Sequence, residues 1–102
     1  MYKVVVSEQA IKDIDSIKDY ITKVLCNPKA ASDLIKKIRS AMHSLDYNPE
    51  RFQEILIDDL SIRRIPINKY NIYYKVETNN KIVIIARILY GGVDINQIAI
   101  IN

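Results

Sequence analysis

The hydrophobic and polar positions follow a helical pattern in the first half of the chain and an alternating pattern in the second. Apolar residues recur at intervals of three and four over Glu8–Leu25 and Pro28–Leu45, which is the spacing of amphipathic helices. Short β-branched or alternating runs predict strands instead. The predicted strands are Tyr2–Val6, a short one near residues 54–57, Ser61–Ile67, Tyr70–Glu77 and Lys81–Tyr90.

The boundaries of the helices support this division. Ser7 and Asn27 are good N-cap residues, and Pro28 suits the first position of a helix. Because the connector between the helices is short, they should form an antiparallel hairpin. We therefore predict an α+β fold of order β-α-α-β-β-β in one domain over residues 1–102. Its mainly antiparallel, twisted sheet would carry the two-helix hairpin on one face.

The most apolar strand, Lys81–Tyr90, contains a single charge in its interior, Arg87, and stops at a glycine pair. A guanidinium is almost never fully buried without a partner. Arg87 therefore either pairs with a buried carboxylate or lies where the strand meets water. Candidate partners are Asp94, Glu77 and Glu54. We expect the second arrangement, with Arg87 presented at the open end of the sheet. The acidic and basic residues of the first helix, Asp13 among them, alternate in sign and are predicted to form a solvated face.

Composition and charge narrow the function classes. The chain has 102 residues and no apolar run near the roughly 20 residues that span a bilayer, so we expect no membrane association. The single cysteine, Cys26, excludes an internal disulfide and is compatible with a cytoplasmic location. Between Leu60 and Gly92, six basic residues stand against one acidic residue. This excess suits an anionic partner, although a solvated sheet face would explain it equally well.

Candidate chemistry is confined to a group of cations and tyrosines on the predicted strands. The chain has no phosphate-binding glycine loop, and one cysteine with one histidine, His43, cannot build a Cys/His metal cluster, so we expect no metal and no cofactor. Arginines can hold a phosphodiester, and a tyrosine can stack on a base or move a proton. The candidate functional residues are Arg63, Arg64, Arg87 and Tyr90. The tyrosines could equally be half-buried strand residues with their hydroxyls at the rim.

Three segments in order, Asn48–Phe52, Ile62–Val76 and Ile84–Asp94, resemble the RelE/ParE toxin superfamily. The resemblance covers about residues 2–95. It implies a small growth-inhibiting toxin of a type II toxin–antitoxin system, of the kind that stabilises plasmids. Such a toxin is held inactive in a hetero-complex with a cognate antitoxin protein.

The resemblance leaves three activities open. The ending Arg-Ile-Leu-Tyr-Gly-Gly is similar to that of ParE-like members, which inhibit DNA gyrase and are not enzymes. RelE-like members are metal-independent endoribonucleases that cleave mRNA on the ribosome, and Arg63, Arg64, Arg87 and Tyr90 would then be catalytic. Val93 stands where relatives often carry an arginine. A decayed, non-toxic module that still binds its antitoxin is therefore the third alternative.

Overall fold

The computed structural model describes residues 1–95, and its elements follow the predicted order. The predicted α+β class, with a helical hairpin on a mostly antiparallel sheet, is confirmed. The predicted order counted three strands after the helices. The structure has four, because the short predicted strand near residues 54–57 also belongs to the sheet. The elements are β1 Lys3–Val6, α1 Glu8–Asp19, α2 Pro28–His43, β2 Gln53–Ile57, β3 Leu60–Ile67, β4 Tyr70–Glu77 and β5 Ile82–Tyr90.

Both helices begin at the predicted caps. The Ser7 hydroxyl accepts a hydrogen bond from the Ala10 N–H at 3.0 Å, and the Asn27 side chain accepts one from the Ala30 N–H at 3.1 Å. Each cap satisfies a backbone donor that has no partner within its helix. These local signals fix where the hairpin starts, and Pro28 occupies the first turn of α2.

The five strands lie side by side in the order β1-β5-β4-β3-β2. β1 runs parallel to β5, and the other neighbouring pairs are antiparallel. β2 pairs with β3 only as far as Arg64, so Pro66 lies beyond the paired part of that edge. Proline has no N–H to donate to a ladder, which explains its place there.

Two apolar clusters lie on the two faces of the sheet. The larger one fills the space between the hairpin and the sheet, and its fully buried members are Ala10, Ile38, Leu45, Ile72, Tyr74, Val83 and Ile85. The smaller one consists of Ile57, Ile62 and Tyr73, with Ile55, Leu89 and Ile95 packed against it. Since neighbouring strand residues point to opposite faces, Tyr74 and Tyr73 mark the helix face and the open face. No helix within residues 1–95 is long and apolar enough to cross a membrane.

The end of the first helix differs from the prediction. The apolar spacing over Glu8–Leu25 predicts that Val24 and Leu25 face the core, but they are 64% and 55% exposed. Residues Tyr20–Val24 form a π turn, in which the Leu25 N–H donates to the Tyr20 carbonyl at 3.1 Å. This i to i−5 bond adds one residue to the turn and rotates the following side chains away from the core.

Candidate functional site

A β-bulge decides which face each residue at the end of β5 occupies. Tyr73 is opposite Arg87, whereas its neighbour Tyr74 is opposite Ile85, so Ala86 is an extra residue on β5. The bulge allows Ile85 and Ile88, three positions apart, both to pack in the helix-side core. Strict alternation would instead have put Arg87 into that core with Ile85. The bulge therefore moves the charge to the open face.

Arg87 forms a forked ion pair with Asp13 of α1. Its Nε donates to Asp13 Oδ2 at 2.8 Å, and its Nη2 donates to Asp13 Oδ1 at 3.0 Å. The two side chains are only 17% and 13% exposed. The hydrogen bond to Asp13 raises the pKa of the Arg87 guanidinium, which outweighs the opposite effect of burial. The prediction that Arg87 is a presented cation is therefore wrong, as is the prediction that Asp13 lies on a solvated face.

Asp13 also accepts a backbone hydrogen bond at the edge of β5, where a neighbouring strand would otherwise accept it. β1 ends at Val6, after which the Ser7 N–H donates to the Ile85 carbonyl at 3.0 Å and the Ser7 hydroxyl donates to the Ala86 carbonyl at 2.9 Å. Further along the same edge, the Ile88 N–H donates to Asp13 Oδ2 at 2.9 Å. Asp13 thus satisfies a strand N–H that β1 is too short to reach. Because it is 74 positions from Arg87, no local pattern in the sequence could have indicated this contact.

Arg63 is also held by the protein itself. Its Nη1 donates to the carbonyls of Glu50 at 2.9 Å and Phe52 at 2.7 Å, and its Nη2 lies 3.6 Å and 3.8 Å from the carboxylates of Glu50 and Glu54. The Arg63 side chain is 17% exposed. It therefore fastens the segment before β2 to β3 and does not present its charge as the sequence suggested.

Arg64 differs from its neighbour because it points to the other face. It is the register partner of Tyr73 in β4 and of Gln53 in β2, so these side chains share the open face. Its Nη2 donates to Gln53 Oε1 at 3.0 Å, in an exposed contact with a neutral group. A hydrogen bond to an amide oxygen does not neutralise the charge of the guanidinium. Gln53, Arg64, Tyr73 and Arg87 form one row across the open face.

Tyr90 lies on the helix face. It is opposite Tyr70, which packs against the larger core, and the two rings meet edge to face with centroids 5.9 Å apart. Tyr90 remains 53% exposed. Its hydroxyl-bearing ring is thus available to a partner, but on the side of the sheet opposite Arg64.

The structure therefore does not bring the four predicted residues together. Arg63 and Tyr90 project from the helix face, while Arg64 and Arg87 project from the open face. The contacts described above pair Arg63 and Arg87 with carboxylates, and they give no such pair for Arg64 or Tyr90. Among residues 1–95, no group of three or more His, Cys, Asp or Glu side chains is placed to hold a metal ion.

Tyr74 is a buried polar residue whose role the sequence did not reveal. Its ring is fully buried, and its hydroxyl donates to the Pro49 carbonyl at 2.5 Å. The carbonyl is presented because Asn48 adopts a left-handed conformation with φ of 47°, which asparagine tolerates well. Burial raises the pKa of Tyr74 to about 12, although Arg63 and Arg51 oppose the shift.

Tyr74→Phe should flatten the loss of stability at high pH. The phenol of an unfolded chain ionises near pH 10, and in the folded protein it does so near 12. The shifted pKa of Tyr74 therefore contributes fully to the free energy of unfolding below about pH 10. This contribution falls by about 3 kcal/mol in total as the pH rises toward 12. Urea unfolding of both proteins at several pH values checks this. Equal slopes of the free energy of unfolding against pH above pH 10 would contradict this prediction. Burial also raises the pKa of Tyr70, but Tyr70 is present in both proteins and does not affect the comparison.

A comparison with protein-family models decides the family. The model described as ParE toxin of type II toxin–antitoxin system, parDE, matches residues 4–95. The chain belongs to this family. It is thus a type II toxin–antitoxin toxin of the ParE/RelE group, as its motifs suggested. A search of curated protein sequences gave no match.

Solved structures share the fold of this ParE-family chain. The chromosomal ParDE system of P. aeruginosa matches with a TM-score of 0.73 at 20% identity, covering 88% of this chain and 96% of the other. The archaeal RelE–RelB complex of Pyrococcus horikoshii OT3 has a TM-score of 0.58 at 23% identity, with 91% and 98% covered. The RelBE2 toxin–antitoxin complex of Mycobacterium tuberculosis has 0.59 at 18%, with 87% and 90% covered. At these identities the likeness concerns the fold.

Proposed function

We propose that this chain stops bacterial growth by binding DNA gyrase in the cytoplasm, and that a cognate antitoxin neutralises it. The observation that carries the choice of target is the separation of the four candidate residues. Arg63 and Tyr90 lie on one face of the sheet and Arg64 and Arg87 on the other. A protein target can be held by groups spread over a surface, whereas cleavage of a phosphodiester needs them at one point.

The geometry argues against ribosome-dependent mRNA cleavage in two ways. Such a reaction needs a base, an acid and a cation within hydrogen-bond reach of the same phosphate. The guanidinium of Arg87 is already taken by Asp13, and that of Arg63 by the Glu50 and Glu54 carboxylates. Either arginine would have to break an ion pair before it could stabilise charge on a substrate. Inhibition of gyrase by surface contacts requires no such change.

Family membership supports an antitoxin partner, and the matching structures include toxin–antitoxin complexes. Val93, at the position of the arginine frequent in relatives, lies in the turn after β5, where its N–H donates to the Tyr90 carbonyl at 3.0 Å. An arginine is not needed to form that turn, since the bond is made by the backbone.

Purified protein should inhibit gyrase supercoiling and should give no ribosome-dependent cleavage in a toeprinting assay. Charge reversal on the open face, Arg64→Glu, should raise the concentration needed for half inhibition about tenfold, equivalent to about 1.4 kcal/mol. Arg39→Glu, on the exposed side of α2, is the matched control and should leave inhibition unchanged.

Two outcomes would overturn the proposal. Toeprints at codons in the ribosomal A site, with supercoiling unaffected, would establish the RelE-like alternative. Normal growth of cells that contain the soluble chain without antitoxin would instead establish the non-toxic binding module. An equal effect of Arg39→Glu and Arg64→Glu would show that net charge, and not the open face, determines inhibition.

A further inference from the structure

Two adjoining grooves on the helical hairpin are lined by basic side chains. The first, of about 380 Å³, lies between α1 and α2, and its polar lining residues are Asp15, Lys18, Thr22, Ser32, Lys36 and Arg39. The second, of about 480 Å³, lies between α2 and the turn from β3 to β4, and its polar lining residues are Lys36, Lys37, Ser40 and Asn68. Because Lys36 lines both grooves, they adjoin, and we call the two together the basic track.

Helical spacing gathers the polar lining of the first groove into two rows. On α2, Ser32, Lys36 and Arg39 are four and three positions apart, so they follow one side of the helix. The second row has the spacing of three and four on α1 and the π turn after it, and consists of Asp15, Lys18 and Thr22. Ala31 and Ile35 are buried between the rows. The two helices therefore pack through apolar residues and leave the cations exposed at the rim.

The cations of the basic track differ from two other lysines of the hairpin in their surroundings. Lys23 pairs with Asp19 at 4.0 Å and Lys29 pairs with Asp33 at 3.2 Å, each within one helical turn. Within residues 1–95, the ion pairs include none of the four cations of the track, Lys18, Lys36, Lys37 and Arg39. Asp15 is the one acidic residue in the lining of either groove. Four positive charges therefore stand against one carboxylate, and the track attracts anions.

The residue types of the lining indicate the class of anion. Phosphate oxygens of nucleic acids accept hydrogen bonds mainly from lysine, arginine, serine, threonine and asparagine side chains, and the basic track has all five. Single-stranded nucleic acids are held in addition by aromatic side chains that stack on the bases. In the described part of the chain, no aromatic residue lines either groove. The track therefore matches the regular phosphates of a duplex, whose bases are already stacked on one another.

We infer that the basic track binds the phosphate backbone of a nucleic-acid duplex without reading its base sequence. The inference goes beyond the proposed function and does not depend on gyrase being the target. The helices cover one face of the sheet, and Arg64 projects from the other. A duplex on the track would therefore leave the open face accessible. Binding through phosphates alone is of the non-specific kind, with Kd values of about 1–100 μM at physiological salt.

Fluorescence anisotropy of labelled DNA and RNA duplexes of about 20 base pairs, titrated with the full chain, tests the inference. With four phosphates neutralised, the logarithm of the association constant for DNA should fall against the logarithm of the salt concentration with a slope of about −3.6. The affinity should then drop about 150-fold between about 50 and 200 mM salt. The double substitution Lys36→Gln with Arg39→Gln should halve this slope and should weaken binding at the lower salt concentration at least about tenfold. Because both side chains are exposed, the thermal midpoint should stay close to that of the wild type.

A pair of charge reversals on opposite faces provides the matched control. Arg39→Glu should weaken duplex binding and leave gyrase inhibition unchanged, whereas Arg64→Glu should do the reverse.

Four results would overturn the inference. They are the absence of salt-dependent duplex binding, an equal loss of duplex affinity in Arg64→Glu and Arg39→Glu, tighter binding of a single strand than of either duplex, and displacement of the duplex by polyglutamate at equal charge. The last would assign the basic track to an acidic protein. Preference for the DNA or the RNA duplex would support the inference and identify the nucleic acid. Duplex binding by a chain that does not inhibit gyrase would overturn the proposed target alone.

Discussion

Arg87→Ala is expected to lower the free energy of unfolding by about 3 kcal/mol, because it leaves a poorly solvated carboxylate without its cation. Asp13 is 13% exposed, and after the substitution it would keep only the hydrogen bond from the Ile88 N–H. The loss should be visible in both urea and thermal unfolding. Removal of a presented cation, as the sequence predicts Arg87 to be, would spare the fold; the ion pair with Asp13 predicts a loss of stability instead.

Three companion variants, Asp13→Asn, Asp13→Ala and Arg87→Lys, separate the contributions to this ion pair. Asp13→Asn keeps an oxygen for the Ile88 N–H and removes the charge, so it should cost less than Asp13→Ala. Arg87→Lys keeps the charge and loses the two-pronged geometry. A double-mutant cycle over Asp13 and Arg87 should give a coupling energy of at least about 1 kcal/mol. An unfolding midpoint of Arg87→Ala equal to that of the wild type would mean that the pair contributes nothing in solution.

Arg63→Ala and Arg64→Ala should differ sharply although the residues are adjacent. Removing Arg63 leaves the carbonyls of Glu50 and Phe52 without their donor, and we expect a loss of about 2–3 kcal/mol. Arg64 makes one exposed hydrogen bond, to Gln53, and its removal should cost under about 0.5 kcal/mol. For function the expected order is reversed. Arg64→Ala should weaken gyrase inhibition more than Arg63→Ala, because inhibition should depend directly on Arg64.

Urea midpoints of the two variants, measured together, check this contrast. Arg63→Lys is a useful third variant, because an ammonium can reach one carbonyl but cannot span two with a fixed fork. It should fall between the wild type and Arg63→Ala. Equal midpoints for Arg63→Ala and Arg64→Ala would contradict the contacts that the structure gives to the Glu50–Phe52 segment.

Local sequence signals predicted the elements well because each depends on a few neighbouring residues. The caps at Ser7 and Asn27 mark the starts of the helices within one turn. The alternating pattern of Tyr70–Glu77 places Tyr74 and Tyr73 on opposite faces, and the structure has them in separate apolar clusters, because a regular strand directs successive side chains to opposite faces. The order of the motifs also indicated the toxin family, which the family match then established.

The candidate site could not be assembled in the same way. The bulge at Ala86 shifts the alternation of β5 by one residue, and nothing in that apolar run distinguishes a bulged position from a regular one. The π turn at Tyr20–Val24 likewise has the apolar spacing of a helix that continues. The bulge is contacted by Ser7 and Asp13 from the other end of the chain, and both irregularities change which side chains reach the surface.

The amino-acid sequence by itself determined the helical hairpin, the strands and the family, because periodicity, capping and motif order are properties of neighbouring residues. Only the tertiary structure decided which charges are available. Whether an arginine is presented or paired depends on which carboxylate the fold brings to it, and Asp13 and Arg87 meet across 74 positions of chain. It also decided that Tyr90 shares a groove with Tyr20 and not a surface with Arg64, because a single extra residue in β5 sets the face of everything after it.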